Sequence, residues 1–377
     1  MQLATHSQKL ERWLGRDEID QLVESMKDWY GGPIAVGNVP GKVYVTKGGD
    51  FRGHIEAGSE GSLLQLTYDK AKRFEAKAKQ RYSHWLARQQ KGLQLNTGFT
   101  SLSDLISEAA AGKTRDYSFQ KIGTTGVAGS TNSLWAVGAQ PINGSAAGAA
   151  PGGTAPTDAT TGGFPFTNPG SPDTQHIVSG YVVGSVAGNQ LLLYDRIFHV
   201  LKTMNSTATE AVTGVPTRYQ ATSGADYAAN NFLFIECTTV LPATAHNWTV
   251  CTYTDQDGNA AATLPSVTGN ASNIVNRLDQ PGQTFYCPLA SGDTGIKALT
   301  QMQCSALVAT GVIQFVIGHP IAWFPCPLAN IILPMDAIQG SFQLERIFDD
   351  ACLSFLEVVK SAVGATTYTG SFKTVSG

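Results

Sequence analysis

Charge all but leaves this chain after its first third. Residues 1–130 carry 18 Lys/Arg and 14 Asp/Glu, whereas residues 131–377 carry 8 and 15, so the two parts have net charges of +4 and −7. Between Ala298 and Met335 there is no Asp, Glu, Lys or Arg at all. Such a run could be read as a membrane span, but Gln301, Gln303, Gln314, Gly318, His319, Pro320, Pro325, Pro327 and Pro334 interrupt it. A spanning helix needs about 20 continuous apolar residues, so buried strands are expected and no membrane partner is. A long chain with only 15% charged residues and 40 glycines falls well below the roughly 25% charge usual for soluble domains. Surfaces this quiet suit close packing against other subunits.

The charged part has helical periodicity. Ile19, Leu22, Val23, Met26 and Tyr30 recur behind Asp17 and stop at Gly31-Gly32-Pro33. Gly-rich turns then flank Val43 and Val45, the alternation of a hairpin or extended loop. A long amphipathic helix is expected over 67–91, with Ala71, Phe74, Ala78, Tyr82 and Trp85 on one stripe. Lys72, Arg73, Lys77, Arg81 and Arg88 give it a basic character. They are the expected electrostatic contact residues, for packaged DNA or for an acidic protein surface; a solvated face is the alternative reading. A short helix over 102–111 follows, with Ser101 and Asp104 at capping spacing and Gly112 as its stop.

From Gly126 to about Pro172 the chain is rich in Gly, Ala, Ser, Thr and Pro. By itself this segment buries too little apolar surface to offset its ordering entropy. It is therefore expected to be a mobile linker or an arm ordered by a neighbouring subunit. Trp135, Phe164 and Phe166 favour the arm, as anchors. From Gln175 onward short apolar runs alternate with turn residues, and strands are expected at 177–186, 190–202, 218–220, 232–240, 248–254, 284–289, 299–309, 312–319, 352–360 and 367–374. Residues 336–348 could hold one helical turn. The expected fold is mainly β, a jelly-roll-like antiparallel β-sandwich with an N-terminal helical segment and a long extended arm. The expected divisions are 1–95, a helical anchoring segment; 96–174, a short helix plus the arm; and 175–377, the sandwich.

Catalytic signatures are weak. Gly112-Lys113-Thr114 resembles the end of a phosphate loop, but Ser107 stands where its first glycine belongs, and the motif follows a helix. Asp255 to Asn259 has the start of a calcium loop without its closing Glu, and reads as a hairpin turn. Asp349 and Asp350, adjacent in sequence, would point to opposite faces of a strand. The seven histidines show no ligand spacing, and Cys237, Cys251, Cys287, Cys304, Cys326 and Cys352 form no CxxC pair. They read as buried thiols of a reduced compartment. The N-terminus has no secretory pattern, so the N-x-S/T triplets at Asn143, Asn205, Asn247 and Asn270 are taken as coincidental. No catalytic residue, metal or cofactor is expected.

Four stretches resemble proteins of one known group: Leu191 to Arg196 (LLLYDR), His246 to Gly258 (HNWTVCTYTDQDG), Pro288 to Lys297 (PLASGDTGIK) and Arg346 to Leu353 (RIFDDACL). They are similar to β-rich virion proteins of tailed bacteriophages whose role is unassigned, over roughly Thr100 to the C-terminus. The resemblance implies a virion component made in the bacterial cytoplasm, with other capsid proteins as partners and no active site to carry over. Together with the composition it gives the expectation of a non-enzymatic, capsid-associated decoration, cement or minor capsid protein, acting as a homo-oligomer, with a trimer the expected order. Two alternatives stay open. Residues 1–95 can be laid onto the arm, extended loop and spine helix of a major capsid protein, and a neck or tail position fits the same composition. A glycan-cleaving tail protein would need two carboxylates set apart in a cleft, and carboxylates are scarce here.

Overall fold

A computed structural model of the chain describes residues 34–39, 42–47, 99, 101–170, 172–224, 226–280, 284–340, 343–360 and 364–377. The chain divides into two compact units, Met1–Arg88 and Gln89–Gly377. In the first, β1 (Ile34–Val39) and β2 (Lys42–Lys47) form an antiparallel hairpin, with Ile34 opposite Lys47 and Val39 opposite Lys42. This is the hairpin expected around Val43 and Val45. The helices expected at 17–30 and 67–91 lie outside the described residues.

The second unit opens with α1 (Leu102–Ala110), capped by Ser101, whose Oγ accepts from the Asp104 N–H at 3.1 Å. The helix stops at Gly112, whose φ of +83° is open to glycine without strain. Lys113 then pairs with Glu108 and Asp173, each at 2.8 Å. Its ammonium is engaged by carboxylates and the next residues enter a strand, so the Gly-Lys-Thr triplet is a helix stop.

Three antiparallel sheets carry the unit. The largest runs β16 (Leu333–Asp336), β6 (Gln175–Gly184), β19 (Thr367–Ser376), β3 (Thr114–Ile122), β5 (Ala139–Gln140), with β17 (Arg346–Ile347) also on β6. The second runs β4 (Thr131–Ser133), β18 (Leu353–Val358), β7 (Asn189–Thr203), β15 (Val312–Cys326), β9 (Phe232–Cys237). The third runs β12 (Ala262–Thr263), β11 (Thr252–Asp255), β14 (Ile296–Met302), β8 (Glu210–Ala211), and β10 (Asn247–Trp248) pairs separately with β13 (Val267–Thr268). The mainly antiparallel β architecture read from the sequence is present, while a jelly-roll strand order is not established by these pairings. β3, β4 and β5 come from 96–174, so that segment and 175–377 share their sheets.

The second sheet closes on itself. Residues 276–279 hydrogen-bond to β9 on one side, through Asn276 N to Cys237 O, Cys237 N to Arg277 O and Asp279 N to Ile235 O. On the other side they bond to β4, through Leu278 N to Thr131 O and Ser133 N to Asn276 O. Both edges are thereby satisfied, which removes the unpaired rims that make open sheets prone to misassociate. Leu192, Tyr194, Phe232, Phe234, Leu278, Val316 and Leu356 fill the inside of this ring.

Its outer face supplies two further cores. Leu191, Leu193, Phe324, Leu353 and Phe355 pack against Phe119, Ile177, Val182, Tyr368 and Phe372 of the largest sheet. Further along β7 and β15, Phe198, Val200, Ile313 and Phe315 pack against Trp248, Tyr253, Ile296, Leu299 and Met302. The change between cores falls at a bulge: Gly318 pairs with Arg196 and Ile317 with Phe198, leaving Ile197 as the extra residue. Gly318 is tied to this place because a Cβ there would stand 2.7 Å from Tyr194 and 3.0 Å from Phe232.

The Gly/Ala/Pro segment is ordered by its own chain, and this corrects the expectation of a mobile linker or an arm ordered by a neighbour. Trp135 donates through Nε1 to Ser145 O at 2.8 Å and lies under the Arg196 guanidinium, 4.7 Å from ring centre to Cζ. Phe164 stacks edge-on against Phe119, Phe355 and Phe372, and Phe166 against Tyr117. Thr154 exchanges backbone hydrogen bonds with His199, and Leu201 N donates to Gly148 O. The segment thus takes over as the neighbour of β7 where β18 ends. Buried Lys121 adds a clamp, donating to Val137 O and Pro141 O at 3.0 and 2.6 Å.

Two expected strands, at 218–220 and 284–289, are irregular. At the first, Arg218 turns inward to an ion pair and Tyr219 has φ of +55°. Residues 337–340 form a turn.

Arg196 and Glu236 pair at 2.5 Å inside the ring, both buried. Removing one partner of such a pair leaves an uncompensated charge, so Glu236→Ala should lower stability by about 3–5 kcal/mol, measured as a shifted urea-unfolding midpoint.

Candidate functional site

The side chains expected to make contacts divide in two. Lys72, Arg73, Lys77, Arg81 and Arg88 lie outside the described residues. Trp135, Phe164 and Phe166 are buried in the core of their own chain. As arm anchors for a neighbouring subunit they have no surface to offer, because each already packs against β3, β7, β18 or β19; their place is corrected to intramolecular clamps.

Two buried arginines are paired with carboxylates. Arg218 grips Asp195 through Nε and Nη2 at 2.8 and 2.7 Å, and Asp195 also accepts from Cys352 N. Arg196, on the opposite face of β7, grips Glu236 and touches Tyr194 Oη and His199 Nδ1. Burial lowers the His199 ring to about 2 and that of His176 to about 4, keeping both neutral. Burial likewise pushes the thiols of Cys251 and Cys352 up to about 12 and that of Cys326 to about 11. All six cysteines are free and buried. A buried thiol held protonated is a poor nucleophile. Among the described residues no group of three His, Cys, Asp or Glu is placed to hold a metal. Asp255 binds its own turn, accepting from Asp257 N and from Asn259 N and Nδ2. Asp350 is tied to Asn168.

Two buried acid–base groups have raised pKa values, for different reasons. Glu357 accepts from Tyr368 Oη at 2.6 Å and Asn132 Nδ2 at 3.1 Å, with no cation beside it, and burial raises its carboxyl above the ordinary value. For His246, burial opposes the charged ring, but hydrogen bonds to Asp279 Oδ2 at 2.8 Å and to Thr244 O outweigh it and raise the pKa. Trp248 Nε1 and Asn270 N also donate to Asp279. Both raised groups contribute stability that is complete below their unfolded values of 4.5 and 6.5 and is lost as pH rises through the folded ones. Unfolding measured in urea at acid and at neutral pH should therefore show Glu357→Gln gaining on the parent chain as pH rises. The unpartnered Oδ1 of Asn132 can receive the new amide after a side-chain flip.

What the described surface does offer is an apolar sheet edge. Leu328, Ile331, Ile332, Leu333 and Ile338 are all exposed, Leu328 at 59% and Ile332 at 56%. They surround β16, the rim strand of the largest sheet; the first four fall in the uncharged run, and Ile338 lies just beyond Asp336. The segment is fixed in place, since Ala337 N donates to Val178 O, Asn330 N to Gly184 O, and Asp336 Oδ1 accepts from Ile338 N. Met335 faces the core behind it. Pro334 lacks an N–H, so this rim is poorly suited to adding a further strand. It presents side chains. Five large apolar groups on one ordered segment mark an interaction surface. The uncharged run was visible in the sequence, but which of its residues face outward was not, because β15 and β16 are both apolar.

No protein-family model matches the chain, and no curated protein matches it. Among solved structures it is similar to that of the infectious bursal disease virus Gt strain, at 9% identity over 70% of this chain and 80% of that one, with a TM-score of 0.14. It is also similar to the D431N mutant VP2 protein of infectious bursal disease virus in T=1 particles, at 8% identity over 70% and 77%, with a TM-score of 0.15. Superpositions this slight decide neither fold nor role. Among the described residues no helix is long and apolar enough to cross a membrane.

Proposed function

We propose that this chain is a non-enzymatic structural protein of a virus particle, of the tailed-phage type that its sequence resembles, and that it works by packing against copies of itself and other capsid proteins. The observation that carries the reading is the exposed apolar rim at 328–338. Asp336, the one charged residue of this rim, turns its Oδ1 to the N–H groups of Ile338 and Gln339, and the exposed Leu and Ile side chains beside it are best matched by an apolar complement. A second copy supplies such a surface: Val240 and Leu307, 61% and 60% exposed, lie on loops joined by the Thr239 Oγ1 to Thr310 O hydrogen bond. A rim meeting a different patch on the next copy is a heterologous contact, which closes into a ring when the rotation allows. We read the assembly as a homo-oligomer, a trimer, with a capsid-associated decoration or cement role, made in the bacterial cytoplasm and resident in the virion.

The buried groups support the same reading. The buried carboxylates, imidazoles and thiols of the described unit serve its own packing, and the quiet exterior is what a subunit held among others requires. Sedimentation velocity tests the proposal. The full chain should sediment as a concentration-dependent oligomer, and Ile332→Asp with Leu333→Asp should return it to monomer with an unchanged circular dichroism spectrum. A parent chain monomeric at all concentrations would contradict it.

A further inference from the structure

Beside the seam where the ring closes lies a cleft of about 280 Å³, between residues 127–131 and the loop 270–280. Among the described residues lining it, Arg277 is the only charged one. Its Nε has no partner and its Nη2 makes only a long bond, 3.4 Å, to Thr125 O. Burial pulls the guanidinium below its usual range, and no carboxylate offsets this. Two other lining side chains are in the same condition. Gln280 is only 4% exposed; its Oε1 accepts from Ile235 N at 3.2 Å, but its Nε2 has no partner. Thr131 is buried and its Oγ1 is unengaged. Unpaired buried donors cost about 1–3 kcal/mol each, so three on one cleft need an explanation.

We propose that this cleft binds the oxyanion head of a small organic molecule, a phosphate or a carboxylate. The Arg277 and Gln280 N–H groups and the Thr131 hydroxyl are donors to it, and Arg277 supplies the charge. The wall is built in advance: Asn270 is held by Asp279 Oδ1, Leu278 O and Gln280 O, and Asn273 Nδ2 by Leu278 O. Asp279, the nearest acid in sequence, directs its carboxylate at His246 and Trp248. A neutral sugar could use the donors but would leave the guanidinium uncompensated. The inference stands apart from the assembly reading, since it rests on a different face and different residues.

Isothermal titration of the full chain with inorganic phosphate, glycerol 3-phosphate and acetate, at ionic strength held constant with chloride, separates the two sources of the anion. Saturable binding of the phosphates alone, or of acetate as well, is expected. Arg277→Gln and Gln280→Leu should each weaken it tenfold or more while leaving the circular dichroism spectrum unchanged. Thr131→Val provides a third variant, removing only a hydroxyl, should either of the others fail to fold. Absence of saturable binding to all three anions, or binding undiminished in the folded variants, would overturn the assignment.

Discussion

The structure depends on one pair of strands and the bulge within it. β7 and β15, each of 15 residues, lie side by side along their whole length, and the three largest cores of the second unit each contain residues from at least one of them. At Ile197 the register shifts by one residue. Because strand side chains alternate between faces, such a shift re-aims everything beyond it. Just before the shift, the ordinary alternation of the strand places Asp195 and Arg196, neighbours in sequence, on opposite faces, where each finds an ion-pair partner from elsewhere: Arg218 outside the ring and Glu236 inside it. Buried ion pairs are weak sources of net stability. Their value here is positional, since each one is satisfied only when distant segments are in register.

The arm and the seam can be understood from the same centre. Trp135 covers Arg196, and residues 148–154 pair with β7 beyond the point where β18 leaves it. A segment too poor in apolar residues to fold alone is thus ordered by a scaffold that already exists. Residues 276–279 do the corresponding job at the other end of the sheet, joining β9 to β4. With the ring's edges closed, the rim of the largest sheet around β16 still exposes five large apolar side chains, and the assembly proposal rests on that contrast.

Much of the β architecture was legible because buried strands announce themselves: Leu191 to Tyr194 and Val312 to Ile317 are dense in apolar residues, each opening shortly after a Gly-containing turn at Gly188 or Gly311. Ser101, Asp104 and Gly112 marked α1 for the same local reasons. What could not be read was non-local. Strand β3, TRDYSFQKI, is edged with charges and has one wet face, so it lacks the apolar density of its partners. β15 continues past Pro320 and Pro325, residues that normally end strands, because one sits at a register shift and the other near the strand end. The order of the Gly/Ala/Pro segment depends on surfaces that exist only once β3, β7 and β18 have assembled. The cleft residues Arg277, Gln280 and Thr131 carry no motif. Only their unengaged polar atoms in three dimensions single them out.

The central claim is that this quiet, self-closed β unit is a building block of a particle. Quantitative mass spectrometry of purified virions tests it most directly, by measuring the chain against the shell protein. The account predicts a fixed ratio set by the symmetry of the shell and retained after stringent washing. Absence of the chain from washed particles would contradict it.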